Sequence, residues 1–202
     1  MTKKIIYVVY YSTHGHVQTM ANTIMEGLKK NEKIETRLRQ FPEILTQDIL
    51  DKMRAPEKNP DVPEFTLDEL QEGDAFMFGF PTRFGTYPAQ VKHFWDTTGK
   101  LWSTGALDSK IVGIFHCSGA QCAGQETTAL TFLSNLFHHG MIFVPLGLSH
   151  PHLHDNSEVI GGSAFGCGTV SDAAGTRQPS KKELELAIYH AEKFAKTVLR
   201  FN

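Results

Sequence analysis

A doubly wound α/β fold with a parallel sheet is predicted from three features of the chain: recurring apolar runs, helical stripes between them, and loops of small residues where the runs end. The runs Ile5–Tyr10, Ala75–Phe80, Ile111–Phe115 and Met141–Leu146 are continuous rather than alternating, which suits strands covered on both faces. A weaker alternating stretch, Ile34–Leu38, completes a five-stranded sheet flanked by helices. A chain of 202 residues buries a full core without a second domain, so residues 1–202 are read as one unit.

The opening MTKKIIYVVYYS sets lysines before an apolar run, but that run is short, β-branched and lacks a small-residue cleavage site. It is therefore the first strand and not a leader. Val17, Met20, Ala21, Ile24 and Leu28 follow at helical spacing. Beyond the Ile34–Leu38 strand, residues Gln40 to Pro63 carry four prolines (Pro42, Pro56, Pro60 and Pro63), which predicts a loop with one short helix near Thr46 to Met53. Between the fourth and fifth strands, Ala129, Leu130, Leu133, Leu136 and Phe137 mark a second helical stripe. Gly147 to Gln178 is rich in glycine and has no period; a loop of that length in a compact domain serves function or an interface. The last helix is announced by Pro179 and the capping box Ser180/Glu183, after which Leu184, Ala187, Ile188, Ala191, Ala195 and Val198 keep the helical period. Strands and helices alternating in this way build right-handed βαβ units.

The formal charge of -2 is spread along the chain, so no basic stripe offers itself to nucleic acid or to an anionic bilayer. No apolar stretch is long enough to span a membrane. Cys117, Cys122 and Cys167 are odd in number and irregularly spaced, which fits a reducing cytoplasmic setting better than a disulfide framework.

In a doubly wound sheet the ligand crevice lies beyond the carboxyl ends of the strands, where the strand order reverses. Three loops fall there. Ser12-Thr13-His14-Gly15-His16-Val17 joins the first strand to the first helix, and its N–H groups and helix dipole suit an anion. Without a Walker lysine or GxGxxG spacing, the pattern fits one phosphate monoester; it fits equally an ordinary N-cap made by Ser12 or Thr13. Phe80 to Pro88 presents backbone between two prolines, with Phe84 as a wall for a flat heterocycle; alone it also reads as a turn with an exposed arginine. Cys117 to Glu126 again joins strand to helix through small residues.

Six segments carry a family resemblance that runs almost end to end: YYSTHGHV, PTRFG, TTGKLWSTGAL, GQETT, HHGMIFVPLG and GTRQPS. In this order and spacing the chain resembles the WrbA-type, flavodoxin-like NAD(P)H:quinone oxidoreductases. The resemblance implies an FMN cofactor, NADH or NADPH as electron donor, and two-electron reduction of small-molecule quinones in quinone detoxification and oxidative-stress defence. It assigns the FMN phosphate to Ser12, Thr13, His14, Gly15, His16 and Val17, and the isoalloxazine to Pro81, Thr82, Arg83, Phe84 and Gly85. Cys117, Ser118, Gly119, Ala120, Gln121, Cys122 and Ala123 close over the ribityl chain and ring. Trp102 and His139, with His14 beside the nicotinamide approach, line the place where nicotinamide and quinone alternate. The family's assembly, a dimer or tetramer, builds each pocket from more than one subunit. The cofactor carries the hydride, so no side chain is catalytic by itself.

The chain departs from the family pattern at three places. His14 stands where tyrosine is usual, Cys122-Ala123-Gly124 replaces three glycines, and Val170 to Thr176 lacks the glycine-rich aspartate turn. These motivate an alternative, a flavodoxin-fold scaffold or stress-associated protein with little or no turnover. A one-electron carrier docks through a strongly acidic face, which a charge of -2 does not supply. Outside these motifs, His150, His152 and His154 alternate before Asp155; an extended chain would turn two imidazoles the same way, but no matching ligand pair accompanies them and no metal is expected.

Overall fold

The computed structural model describes residues 2–201. Six parallel strands form one sheet: β1 (Lys4–Tyr10), β2 (Ile34–Gln40), β3 (Ala75–Pro81), β4 (Ile111–Ser118), β5 (Ile142–Phe143) and β6 (Gly168–Val170). The order is β2-β1-β3-β4-β5, and β6 also pairs with β4. Strand order reverses between β1 and β3, because β1 connects outward to β2 on one side and the chain then crosses to β3 on the other.

The continuous apolar runs do what their composition requires. Alternate residues feed two cores: Ile6, Val8, Met77 and Phe115 pack under α1 (His16–Lys29) and α7 (Lys181–Val198). Tyr7, Val9, Phe76, Phe78, Phe80 and Ile114 pack under α4 (Ala89–Asp96) and α6 (Gln125–His138). Burying each such side chain contributes roughly 1.5–3 kcal/mol. The edge strand β2 keeps Glu35, Arg37 and Arg39 at its surface, where they pair with each other or with Glu69 and Glu72, and so blunt an edge open to foreign strands.

Some expected elements come out differently. The fifth strand position is shared: β5 reaches only Phe143 before the chain leaves the sheet, and β6 takes up pairing with β4 from His116 to Ser118. Val144 still donates its N–H to the Val112 carbonyl of β4 at 2.8 Å, while Leu146 stays buried beyond the strand, where the glycine-rich segment turns away. That segment is not structureless, since it holds a 3₁₀ turn (Pro151–His154) and β6. On α6, Phe132 is buried, while Leu130 and Phe137 are 52% and 62% exposed, so the inward stripe is Ala129, Phe132, Leu133 and Leu136. The proline-rich loop contains the expected short helix, α2 (Gln47–Lys52). Two further helices, α3 (Leu67–Glu72) and α5 (Gly99–Ser103), are too short to show a period in sequence.

The last helix starts with the expected capping box, but Glu183 does more than cap. Fully buried, it accepts from Ser180 N–H, Gly161 N–H, Val170 N–H, Thr169 Oγ1 and the Arg177 guanidinium at 2.7–3.1 Å. Arg177 in turn donates to the carbonyls of Val170 and Val159 at 2.5 and 2.9 Å. Beside this hub, two histidines are sealed inside the core. His116 has both ring nitrogens buried without a partner among the described residues, and Gly168 has no Cβ to offer it, since one would stand 2.4 Å from Nδ1. His190 Nδ1 faces Cys167 N–H and Sγ, each at 3.4 Å.

Burial pushes His116 down to about 4 and His190, helped by Lys193, to about 3. Their unfolded values lie near 6.5, so as pH falls below that point the unfolded chain takes up protons first. Stability present above about pH 6.5 should therefore drop by on the order of 3 kcal/mol per histidine as pH approaches 4. Urea unfolding followed from about pH 7.5 to about pH 4.5 measures this loss; a midpoint flat across the interval contradicts neutral burial of the pair.

Candidate functional site

The carboxyl ends of β1, β3 and β4 run into three loops that line an open cleft of about 180 Å³ at the strand-order reversal. Its walls are Ser12, Thr13, His14, His16 and Val17 from the first loop, Pro81, Thr82 and Arg83 from the second, and Cys117, Ser118 and Gly119 from the third. Ser171, which follows β6, closes the remaining side.

The first loop is shaped by Gly15, which caps α1 in the left-handed region at φ 89° and donates its N–H to Ser12 Oγ at 3.0 Å. The first bond of the helix runs from Thr19 N–H to Gly15 O, so the N–H groups of His16, Val17 and Gln18 are left over by the helix and face its N-terminal end. Together with the helix dipole they present a partial positive charge that suits an anion. The buried hydroxyl of Thr13 accepts from Arg83 at 2.8 Å and keeps its own O–H to donate.

Arg83 is not the exposed arginine of an ordinary turn. Its guanidinium spans from the Thr82 carbonyl to Thr13, stitching the second loop to the first, and it is the permanent charge of the cleft wall. Among the described residues no carboxylate lines the cleft. His14 sits at the mouth, and partial burial, then the charges of Arg83 and His16, lower its proton affinity. Arg83 and Thr86 exchange backbone bonds around a two-residue turn in which Phe84 and Gly85 have φ of 53° and 82°. Phe84 thus holds a left-handed conformation with its ring wholly in solvent, at a cost of roughly 1–2 kcal/mol.

In the third loop Cys117 is buried, and burial pushes its thiol up to about 11, so it stays protonated near neutrality. Ala120, Gln121, Cys122 and Ala123 do not line the cleft. Gln121 and Cys122 face a separate open groove opposite Leu148, Leu153 and Ile160, so the side chains that replace two glycines leave the cleft open. The tail loop replaces the missing glycine turn with a clasp: Asp172, at φ 65°, accepts from Thr176 N–H, Thr176 Oγ1 and Arg177 N–H. The Thr176 hydroxyl above all holds its carboxyl down at about 2.

Trp102 and His139 stand elsewhere. α6 leaves the carboxyl edge at Gln125 and runs 14 residues, about 21 Å, toward the opposite edge, where His139 follows its last turn. There His139 Nε2 pairs with Thr98 Oγ1 at 2.9 Å and its ring packs on Trp95, while Trp102 on α5 is 59% exposed. Burial, then neighbouring His138, lowers the proton affinity of His139. The His150 segment is a 3₁₀ turn and not extended chain, with His152 on Glu185 at 2.8 Å and His154 on the Leu148 carbonyl at 2.7 Å. Ser171 and the Glu183–Arg177 hub are the parts of the site not foreseen; the signal for Ser171 was a short run, Gly168 to Val170, ending in a hydroxyl residue as β1 does.

Fold and cleft together define a flavodoxin-like domain with an anion site at its switch point. The chain belongs to the NADPH-dependent FMN reductase family, whose model matches residues 6–153. It is 51% identical over 185 residues to the quinone-oxidoreductase QR2 of Triphysaria versicolor, covering 91% of this chain and 90% of that protein. It is 42% identical over 201 residues to the NAD(P)H quinone oxidoreductase PST2 of Candida albicans, covering 100% and 99%. The fold is shared with a WrbA-like flavodoxin from Agrobacterium tumefaciens at a TM-score of 0.69 and 21% identity, over 99% of this chain and 100% of that one.

Gly15→Ala keeps open space around the new Cβ but strains the left-handed cap, by roughly 1 kcal/mol. It should weaken binding of a phosphate monoester about fivefold to tenfold while lowering stability by no more than that strain, as read by ligand titration and thermal unfolding.

Proposed function

We propose that residues 1–202 form one FMN-binding domain that passes electron pairs from NADH or NADPH to quinones. The observation that carries this reading is the cleft itself: leftover helix N–H groups, one fixed cation and no carboxylate, at the switch point of a flavodoxin-like sheet. The family match and the names of the close relatives support it.

The N–H groups of His16 to Gln18 would hold the FMN phosphate, with the Arg83 charge nearby. Pro81 to Arg83 and Cys117 to Gly119 would flank the ribityl chain and ring. When bound, FMN supplies hydride acceptance and donation. The chain supplies position and a protonated, unreactive Cys117 wall. Quinone detoxification in oxidative-stress defence is the matching physiological role. Three free thiols suit a reducing compartment, and no helix among the described residues is long and apolar enough to cross a membrane.

A homo-oligomer, dimer or tetramer, completes the pocket. The outer face of α6 carries Thr127, Leu130, Thr131, Ser134 and Phe137, all exposed and uncharged. Phe84 lies at the start of this helix, where Gly85 abuts Gly124 and Thr127, and His139 and Trp102 lie toward its end. Antiparallel pairing of two α6 helices would set His139 and Trp102 of one copy against the cleft mouth of the other, burying apolar surface that a monomer leaves wet.

The purified protein should be yellow or take up FMN after flavin removal, and should oxidise NADH or NADPH when benzoquinone is added. A colourless protein that cannot be reconstituted ends the reading. Changing Leu130 and Phe137 together to Asp should dissociate the assembly and cut quinone turnover by about tenfold or more, while FMN affinity stays within about twofold. An unchanged mass by light scattering would show that α6 is not the contact.

A further inference from the structure

The cleft wall contains a histidine whose hydrogen bonding leaves it mismatched to its expected guest. His16 is the first residue of α1 and is 5% exposed. Its Nε2 stands 3.0 Å from the Arg177 carbonyl oxygen. A carbonyl oxygen only accepts, so Nε2 must carry the hydrogen, and the neutral ring is then fixed in one tautomer with Nδ1 bare. No hydrogen bond among the described residues reaches Nδ1.

A bare Nδ1 is an acceptor, and a phosphate oxygen is an acceptor too. Their lone pairs oppose each other unless the ring turns or gains a proton. Turning is resisted from both sides. The helix cap holds the backbone of His16, and Arg177 is pinned by Glu183 at 2.9 Å, by the Val159 carbonyl at 2.9 Å and by Asp172, which accepts its N–H at 2.9 Å.

We infer that His16 takes up a proton at Nδ1 when a phosphate monoester dianion enters the cleft, so that cofactor capture is coupled to proton uptake from solvent. The inference rests on the FMN reading above. The charged and titratable groups around His16 set the sign. Arg83, from the loop after β3, and His14, from the loop after β1, face the cleft beside His16. Arg177 from the tail directs its guanidinium to Glu183 of α7, and Asp172 is taken up by Thr176 and Arg177 N–H, so neither carboxylate replaces the missing counter-charge. A dianion reverses the local potential. Nδ1–H then donates to a phosphate oxygen while Nε2–H keeps its bond to Arg177, and one N–H bond forms at the expense of one buffer acid.

At about pH 8 neither free histidine nor the FMN phosphate carries the relevant proton, their reference values being about 6.5 and about 6. Calorimetric titration of flavin-free protein with FMN in Tris and in HEPES, buffers of different ionisation enthalpy, counts the protons exchanged. The expected result is uptake of about one proton per FMN, and none with riboflavin, which lacks the phosphate. His16→Gln keeps an N–H at the Nε2 position for Arg177 and should abolish the uptake; His14→Gln should leave it. Heat independent of buffer, or uptake lost in His14→Gln and kept in His16→Gln, overturns the inference while leaving FMN binding intact. No heat with FMN in either buffer overturns the FMN reading and this inference with it.

Discussion

A carboxylate shut away from water, Glu183, fastens together the parts of the molecule that have no other reason to meet. It receives N–H groups from Gly161 and Val170, the hydroxyl of Thr169 and the guanidinium of Arg177, so the glycine-rich excursion, the short strand β6 and the final helix converge on one side chain. Losing Arg177 costs about 3–5 kcal/mol, because the buried Glu183 carboxylate is left without its counter-charge. From Arg177 the constraint passes to His16 through its carbonyl and to Asp172 through its N–H, and so reaches the first loop and Ser171. The back wall of the cleft is thus held from the opposite end of the sequence.

The remaining walls follow from strand geometry. β1, β3 and β4 end in register, with Tyr10 beside Gly79 and Pro81 beside Cys117, so their loops rise at the same edge. Cross-links then make one rim of them: Arg83 to Thr13 between the first and second loops, and Thr82 to Thr128 between the second loop and α6. A rim wired in this way presents its N–H groups already oriented, which lowers the ordering cost of binding an anion.

Much of this was legible in the chain because it depends on local pattern. Continuous apolar runs gave β1, β3 and β4, the Ser180/Glu183 spacing gave the start of α7, and small residues at three strand ends marked the cleft. What escaped depends on which atoms meet across long separations. Leu130 and Phe137 fit a helical stripe as well as Phe132 does, and spacing alone does not tell which face meets the sheet. His139 and Trp102 could be tied to the site only by resemblance, since within one chain α6 carries His139 to the far edge. Glu183 reads as a cap because its longer-range partners, Gly161 and Thr169, have no signature of their own.

The divided fifth position has an evolutionary corollary. Since β5 and β6 each find their own register on β4, the stretch between them has its ends set by the sheet, and Val159 and Gly161 within it are fixed by Arg177 and Glu183. Doubling such an insert costs only about 0.6 kcal/mol in closure entropy. Descendants of this architecture can therefore lengthen, shorten or rebuild the more exposed part of that stretch, around Ser149 to Glu158, while the cleft walls, which lie on other segments, are kept.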